Sequence, residues 1–435
     1  MFFAGRISVG LLRTEAWAAS LSLAVTAVWR ISLTARNWGE TLVLSQTAYI
    51  YGLSFLIIIL LIINFFCCVL ASSTMPAMPL KGLNMILFFL TAACYNFFCT
   101  TSLISLFVYF ELRLVPIFII IIGWGYQRER VKARLALFMY TSVGAAPLLI
   151  SILSLGRARV NRVIRAARDE GVACIGVMAW PLVAFLVKLP LTGVHIWLPK
   201  AHVEAPVVGS IFLAAVLLKL GGWGLILFQE LAVNSTFSQA LVGLSLLGVV
   251  WVSVICCQTV DSKTLIAFSS VTHIRMVVFG VALGTSAGIT TRFLVLLRHG
   301  FSSSVAFLLV FYLYKSQNSR RLVLTKSLLA ASGGLNAVWV FGVLALVGCP
   351  PSFNLWVEIT CYFLFTAVEP LVRKTFFVGA LLAGVYGFLL LGKVLSGSDL
   401  NFKHPKEERR FEIGQARYGV LLTILIAAGM RLTLI

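Results

Sequence analysis

Residues 48–71 read AYIYGLSFLIIILLIINFFCCVLA, with no charged side chain among them. A run of that length constrains the fold more than any other feature. A helix needs about 20 mainly apolar residues to cross the hydrocarbon core of a bilayer. In lipid every backbone N–H and C=O must be satisfied within the segment, which leaves helices or closed barrels. The run is too long for a barrel strand of about 9–11 residues, so it reads as a spanning helix. Residues 237–260 form a second charge-free run. Segments of this kind recur along the chain near 14–33, 48–71, 82–102, 103–124, 134–155, 171–191, 207–229, 237–260, 262–284, 290–314, 334–370 (one broken span or two short ones), 376–398 and 418–435.

The expected fold is therefore all-α, a polytopic membrane protein of about 13–14 spans at about 20 residues each. Composition agrees: 60% of the 435 residues are hydrophobic and 11% charged, too little charge for a soluble surface of this size. Loops between spans are short and leave no room for a separate nucleotide-binding or redox domain. Neither a phosphate-binding GxxxxGK[ST] loop nor a GxGxxG turn between strand and helix occurs. Nine cysteines are scattered, two pairs of them adjacent (Cys67–Cys68, Cys256–Cys257), and none shows metal-ligand spacing. No metal and no cofactor is expected in this chain.

The net charge of +20 is carried largely by loops, at Arg128 to Arg134, Arg157 to Arg168, Lys315 to Lys326 and Lys403 to Arg410. Contact with anionic lipid such as cardiolipin is one reading, and salt bridges to neighbouring subunits are the other; no nucleic-acid partner is expected. Successive loops are both basic, so charge assigns no orientation. The first 40 residues, rich in Arg, Ser and Ala, have the composition of a targeting presequence but also fit a first helix, which is the reading taken here.

Against this apolar background, ionisable residues inside spans mark function, because each costs several kcal/mol to keep in lipid. Glu111 sits in FVYFELRLVPIFIIIIGWG, Lys188 in WPLVAFLVKLPLTGVHIWLP and Lys219 in IFLAAVLLKLGGWGLILF. His273 follows FSSVT, His299 lies between LLR and GFSSS, Glu358 follows GCPPSFNLWV, and Lys393 follows YGFLLLG. A lone lysine near a helix end can snorkel, which suits Lys393, and a lone histidine can be a packing group. Seven such residues in seven segments are harder to explain as packing. Burial moves glutamate and lysine proton affinities towards each other, so a Glu–Lys–Lys/His–Glu series is a set of coupled proton sites.

Transport sites often lie at interrupted helices in matching halves of a chain. Pro181 and Pro190 bracket Lys188, and Pro350 and Pro351 precede Glu358. The offsets Lys188 to Glu358 (358 − 188 = 170), Lys219 to Lys393 (393 − 219 = 174) and Glu111 to His273 (273 − 111 = 162) suggest two inverted five-helix repeats, each with a broken helix. The corresponding division is 1–80 for N-terminal helices, 81–230 and 231–400 for the repeats, and 401–435 for a loop and last helix.

The run VKLPLTGVHIWLPKAHVEAPVVGSIFLAAVLLKLGG, with FELRLVP, SSVTH, RHGFSSS and GCPPSFNLWVEI in order, resembles the antiporter-like membrane subunits of proton-pumping NADH:ubiquinone oxidoreductase, respiratory complex I. The wider family includes subunits of multisubunit cation/proton antiporters, which supply the alternative function. Subunits 2 and 5 of that set carry a lysine where this chain has Glu358, which points to the remaining branch. The resemblance implies that Glu111 pairs with Lys188, that Lys219 bridges, that His273 and His299 continue the path, and that Glu358 ends it. His195, Lys200, His202 and Glu204, in or beside the connector, are accessory candidates with a structural or gating role, as is Lys393. The resemblance further implies that NADH, FMN, iron–sulfur clusters and ubiquinone are bound by partner subunits, that antiporter-like subunits 2 and 5 are neighbours, and that the membrane is the mitochondrial inner membrane or a bacterial plasma membrane. Arg113, Arg275 and Arg298 depart from the family pattern. They are expected either to oppose protonation of the nearby histidines or to point towards lipid headgroups or a partner.

Overall fold

The computed structural model describes residues 45–72, 80–100, 102–125, 129–155, 175–228, 236–283, 286–317, 319–322, 333–350, 352–366 and 370–395. The expected spans at 14–33 and 418–435 lie outside them. Fifteen α-helices follow in order: α1 (Ser45–Ser72), α2 (Leu80–Cys99), α3 (Leu103–Leu112), α4 (Leu114–Trp124), α5 (Arg130–Leu155), α6 (Ile175–Lys188), α7 (Trp197–Glu204), α8 (Val207–Phe212), α9 (Leu218–Leu227), α10 (Thr236–Gln258), α11 (Ser262–Leu283), α12 (Ser286–Gln317), α13 (Gly333–Val347), α14 (Phe353–Thr366) and α15 (Pro370–Leu395). A π-helical turn, Leu213–Leu217, joins α8 to α9 into one crossing. An isolated antiparallel β bridge pairs Asp261 with Arg321.

The interruptions have local causes. The expected span 103–124 is one crossing, Leu103–Trp124, whose hydrogen bonding slips at the single residue Arg113 because Pro116 lacks an N–H and its ring would strike the carbonyl four residues back, on Leu112. The span expected at 171–191 ends early, at Lys188. Helix α6 runs through Pro181, so that proline does not break it, contrary to expectation; Pro190, which bars helical geometry at the residue before it, does. The chain turns through Gly193, whose φ of +97° suits glycine, and resumes at Trp197. One orphaned carbonyl at the end of α6, on Val187, accepts from the Trp197 indole at 3.3 Å.

The second break lies inside 334–370, which forms two short helices. Helix α13 stops at Val347, and Gly348 enters a positive φ of +87° while its N–H and that of Cys349 both return to the Leu344 carbonyl at 3.1 and 3.0 Å. The Asn354 amide then donates to the carbonyls of Ala345 and Leu346. The two breaks are thus each closed by a side chain from the following helix. Relative to them, Lys188 and Glu358 do not match: Lys188 closes the helix before its break, whereas Glu358 lies in the second turn after its own.

The centre of the bundle is the set of helices that sees no solvent or lipid. The crossings Val207–Leu227, Ser262–Val281 and Gly288–Lys315 are 94%, 89% and 94% buried, against 28% for Val372–Leu395. The buried ionisable residues sit on or against these three. At one end of the bundle, chain reversals interlock: Ser262 N–H donates to the Arg320 carbonyl at 3.1 Å, Leu322 N–H to that of Val260 at 2.8 Å, and the Arg320 guanidinium to that of Val203 at 3.1 Å.

Candidate functional site

Lys188, 4% exposed, is held between two groups brought up by α3. Its ammonium lies 3.3 Å from Glu111 Oε1 and 3.6 Å from the centroid of the Phe110 ring. The carboxylate supplies a counter-charge and the ring face a weaker cation attraction. Arg113, also buried, places its guanidinium carbon 4.4 Å from the Phe110 centroid and donates to the Phe110 carbonyl at 2.6 Å and the Leu217 carbonyl at 3.4 Å. It therefore points into the protein and not towards headgroups.

Helix α9 approaches Lys188 closely. A Cβ on Gly221 would stand 3.1 Å from Leu189 Cγ, 3.2 Å from the Phe185 carbonyl and 3.3 Å from Lys188 Cβ, so only glycine fits without a shift. A small cavity bordered by Arg113, Thr141, Lys188, Trp197 and Leu217 lies at the same place. Two residues before Gly221 stands Lys219, fully buried. Its Nζ donates to the Ala214 carbonyl within the π turn and lies 2.8 Å from His299 Nδ1. A π turn departs from the regular i−4 hydrogen-bond pattern, and it is within this turn that the lysine finds its acceptor.

His299 and His273 have ring centroids 6.2 Å apart. Arg298 fastens the far end: its Nη1 donates to Glu358 Oε1 at 2.8 Å and to the Asn354 carbonyl at 3.0 Å, while Nη2 lies 3.2 Å from His273 Nδ1. His273 Nδ1 is itself 4.0 Å from Glu358 Oε1. Gly348 backs onto this carboxylate, since a Cβ there would sit 2.8 Å from Oε2.

The structure thus joins the six principal candidates into linked groups: Glu111–Lys188, Lys219–His299 and His273–Glu358, the last through Arg298. Among the accessory candidates, Lys200 is exposed and Lys393 partly so. His195 is partly buried, its ring edge-on to Phe268 at 6.3 Å, with Nδ1 unbonded. His202 is fully buried and Glu204 nearly so, both on α7. Of the departing arginines, Arg275 is the one whose guanidinium makes no hydrogen bond among the described residues: it is 1% exposed and lies against Gly248.

Sequence reasoning missed Lys263, Asn354 and the π turn. Lys263 looks like flanking charge, yet it is 5% exposed and donates to the Ala205 carbonyl at 3.1 Å. Asn354 carries no pattern that distinguishes a capping amide from a loop residue.

A helical bundle with two interrupted crossings and a buried carboxylate–lysine–histidine series defines a class of membrane proteins that handle ions or protons. A family model described as "NADH:quinone oxidoreductase/Mrp antiporter, TM" matches residues 100–383, and the chain belongs to that family. Among its relatives is NADH-ubiquinone oxidoreductase chain 4 of Tetraodon nigroviridis, 38% identical over 290 residues that make up 65% of this chain and 62% of the relative. Chain 4 of Branchiostoma floridae is 35% identical over 327 residues, 73% of this chain and 72% of that one. The alignment thus spans a little under two thirds of the first relative's length and somewhat more of the second's. The fold is similar to a chain of respiratory complex I from Thermus thermophilus with bound NADH, with a TM-score of 0.71, 22% identity and coverage of 88% of this chain and 85% of that one. It is also similar to a chain of the Mrp complex from Dietzia sp. DQ12-45-1b, with a TM-score of 0.74, 16% identity and coverage of 89% and 80%.

Proposed function

We propose that this chain is a proton-translocating membrane-arm subunit of an NADH:ubiquinone oxidoreductase in the mitochondrial inner membrane, passing protons along Glu111, Lys188, Lys219, His299, His273 and Glu358. The observation that carries the reading is the 2.8 Å contact between Lys219 and His299 in a fully buried site, which gives an ammonium a neutral nitrogen to donate to. The carboxylate of Glu111 supplies the counter-charge to the Lys188 ammonium at 3.3 Å, and separation of that pair is the event that hands the proton on. The proton leaves Lys188 Nζ as an ammonium proton and arrives on the neutral amine of Lys219, then passes to His299 Nδ1. Transfer onwards to Glu358 converts its carboxylate to a carboxyl group and weakens its hold on Arg298.

Electron transfer from NADH to ubiquinone, with FMN and iron–sulfur clusters, belongs in this reading to partner subunits, and this chain binds none of those groups. Antiporter-like subunits 2 and 5 are its proposed neighbours. The test is proton pumping by the assembled complex in vesicles. Lys188→Ala and Glu358→Ala should each abolish the pumping that depends on this chain while leaving NADH oxidation by artificial acceptors intact. Normal pumping in both would overturn the relay. The likeness to an Mrp complex chain favours a second reading, a cation/proton antiporter subunit; sodium transport by vesicles lacking any NADH-oxidising subunit would select it.

A further inference from the structure

His202 lies in the interior of the connector helix α7, fully buried, with its ring stacked on Phe307 of α12 at 4.7 Å and 10° between planes. Neither ring nitrogen has a hydrogen-bond partner among the described residues. A histidine retained for packing satisfies at least one nitrogen as a rule, because an orphaned buried polar atom costs free energy that an apolar side chain would not. Lys219 and Lys263 both act on the ring electrostatically, and His202 acts in turn on His299, whose Nε2 is also unbonded.

Two residues on, Glu204 belongs to a charged cluster where the chain reversals interlock. Lys263 donates to the Ala205 carbonyl and Arg320 to the Val203 carbonyl, each at 3.1 Å, so the carbonyls flanking Glu204 are both held by cations. Glu204 senses Arg320, Glu129 and Lys263, and Glu129 is exposed. Glu129, Glu204, Lys263, His202 and the Lys219–His299 pair thus each act electrostatically on another member of the set.

We propose that His202 carries protons between this charged end of the bundle and the Lys219–His299 pair, giving the buried row a side entrance. The proposal rests on the relay reading above. In the inward direction a neutral imidazole accepts a proton on one ring nitrogen from the Glu204 carboxyl group, which becomes a carboxylate. It then releases the proton on its other nitrogen, so one N–H bond forms as another breaks, and the Lys219 amine becomes an ammonium. Water bridges the gaps in this relay, and exchange of the remaining N–H proton from one ring nitrogen to the other through that water restores the starting tautomer.

The experiment compares proton translocation per NADH oxidised by the assembled complex in vesicles for four variants: Lys219→Ala, His202→Gln, Glu204→Gln and Lys374→Ala. Glutamine keeps a donor and an acceptor near the imidazole's place but cannot relay a proton. The expected result is that His202→Gln loses as much translocation as Lys219→Ala, to within a factor of two, while Lys374→Ala, exposed on α15, behaves as the unaltered protein. Where His202→Gln does not assemble, Glu204→Gln is judged by the same criterion. Full translocation in the deciding variant alongside a loss in Lys219→Ala overturns the side entrance and leaves the relay standing. Full translocation in Lys219→Ala overturns the relay itself, and the side entrance with it.

Discussion

At the residue scale, the unusual members of the site are its arginines. Breaking a buried ion pair by removing one partner costs about 3–5 kcal/mol, because a charge is left uncompensated. Arg298 bridges Glu358, His273 and the Asn354 carbonyl, so Arg298→Ala should destabilise the complex by that order, read as a lower unfolding midpoint in detergent. Arg298→Lys retains the charge but, as a single point donor, cannot span all three groups, and should recover only part of the loss. Arg275 is the opposite case. It is buried with no hydrogen bond to its guanidinium, so replacing it by a neutral side chain of similar length removes a desolvation cost and no bond. Arg275→Met should stabilise the protein by about 1–4 kcal/mol, and a lowered midpoint would contradict this. The identity of the principal ionisable residues was legible in the sequence, because charges inside apolar runs stand out. Their partners were not: nothing in RHGFSSS says that Arg298 turns inwards to a glutamate sixty positions away.

At the element scale, both breaks decide where functional groups sit. Gly348 needs its positive φ and also leaves room for the Glu358 carboxylate, so Gly348→Ala combines backbone strain with an overlap. It should cost more than about 1 kcal/mol and reduce proton translocation together with stability. A variant with lowered stability and full translocation would show that the carboxylate tolerates displacement. The interruptions were readable from Pro190 and the Pro350–Pro351 pair, since proline forbids the helix locally. Which proline acts was not readable: Pro181 sits inside a continuous helix whose other hydrogen bonds and packing absorb it.

At the scale of the whole molecule, burial divides the helices into a dry centre and a greasy perimeter. Leu247 and Trp251 on α10, 71% and 65% exposed, and Phe388 on α15 belong to the perimeter. Their exposure is unremarkable in lipid and would be prohibitive in water. Leu247→Arg should cost about 2.5–3.5 kcal/mol of membrane insertion and reduce the integrated fraction of α10 in a translocation assay. An unchanged fraction would show that this face is not in contact with lipid.

The sequence alone determined that this chain crosses a membrane many times as helices, because hydrocarbon leaves the backbone no other choice over such runs. It also marked the ionisable side chains that lie inside apolar runs, where each is costly to keep. Only the tertiary structure decided that Lys219 meets His299, that Arg298 stands between His273 and Glu358, and that His202 stacks on Phe307 with its nitrogens unbonded. Those pairings are set by which faces of α9, α11, α12 and α14 pack together. In helices apolar on every side, residue order carries no record of the facing partner.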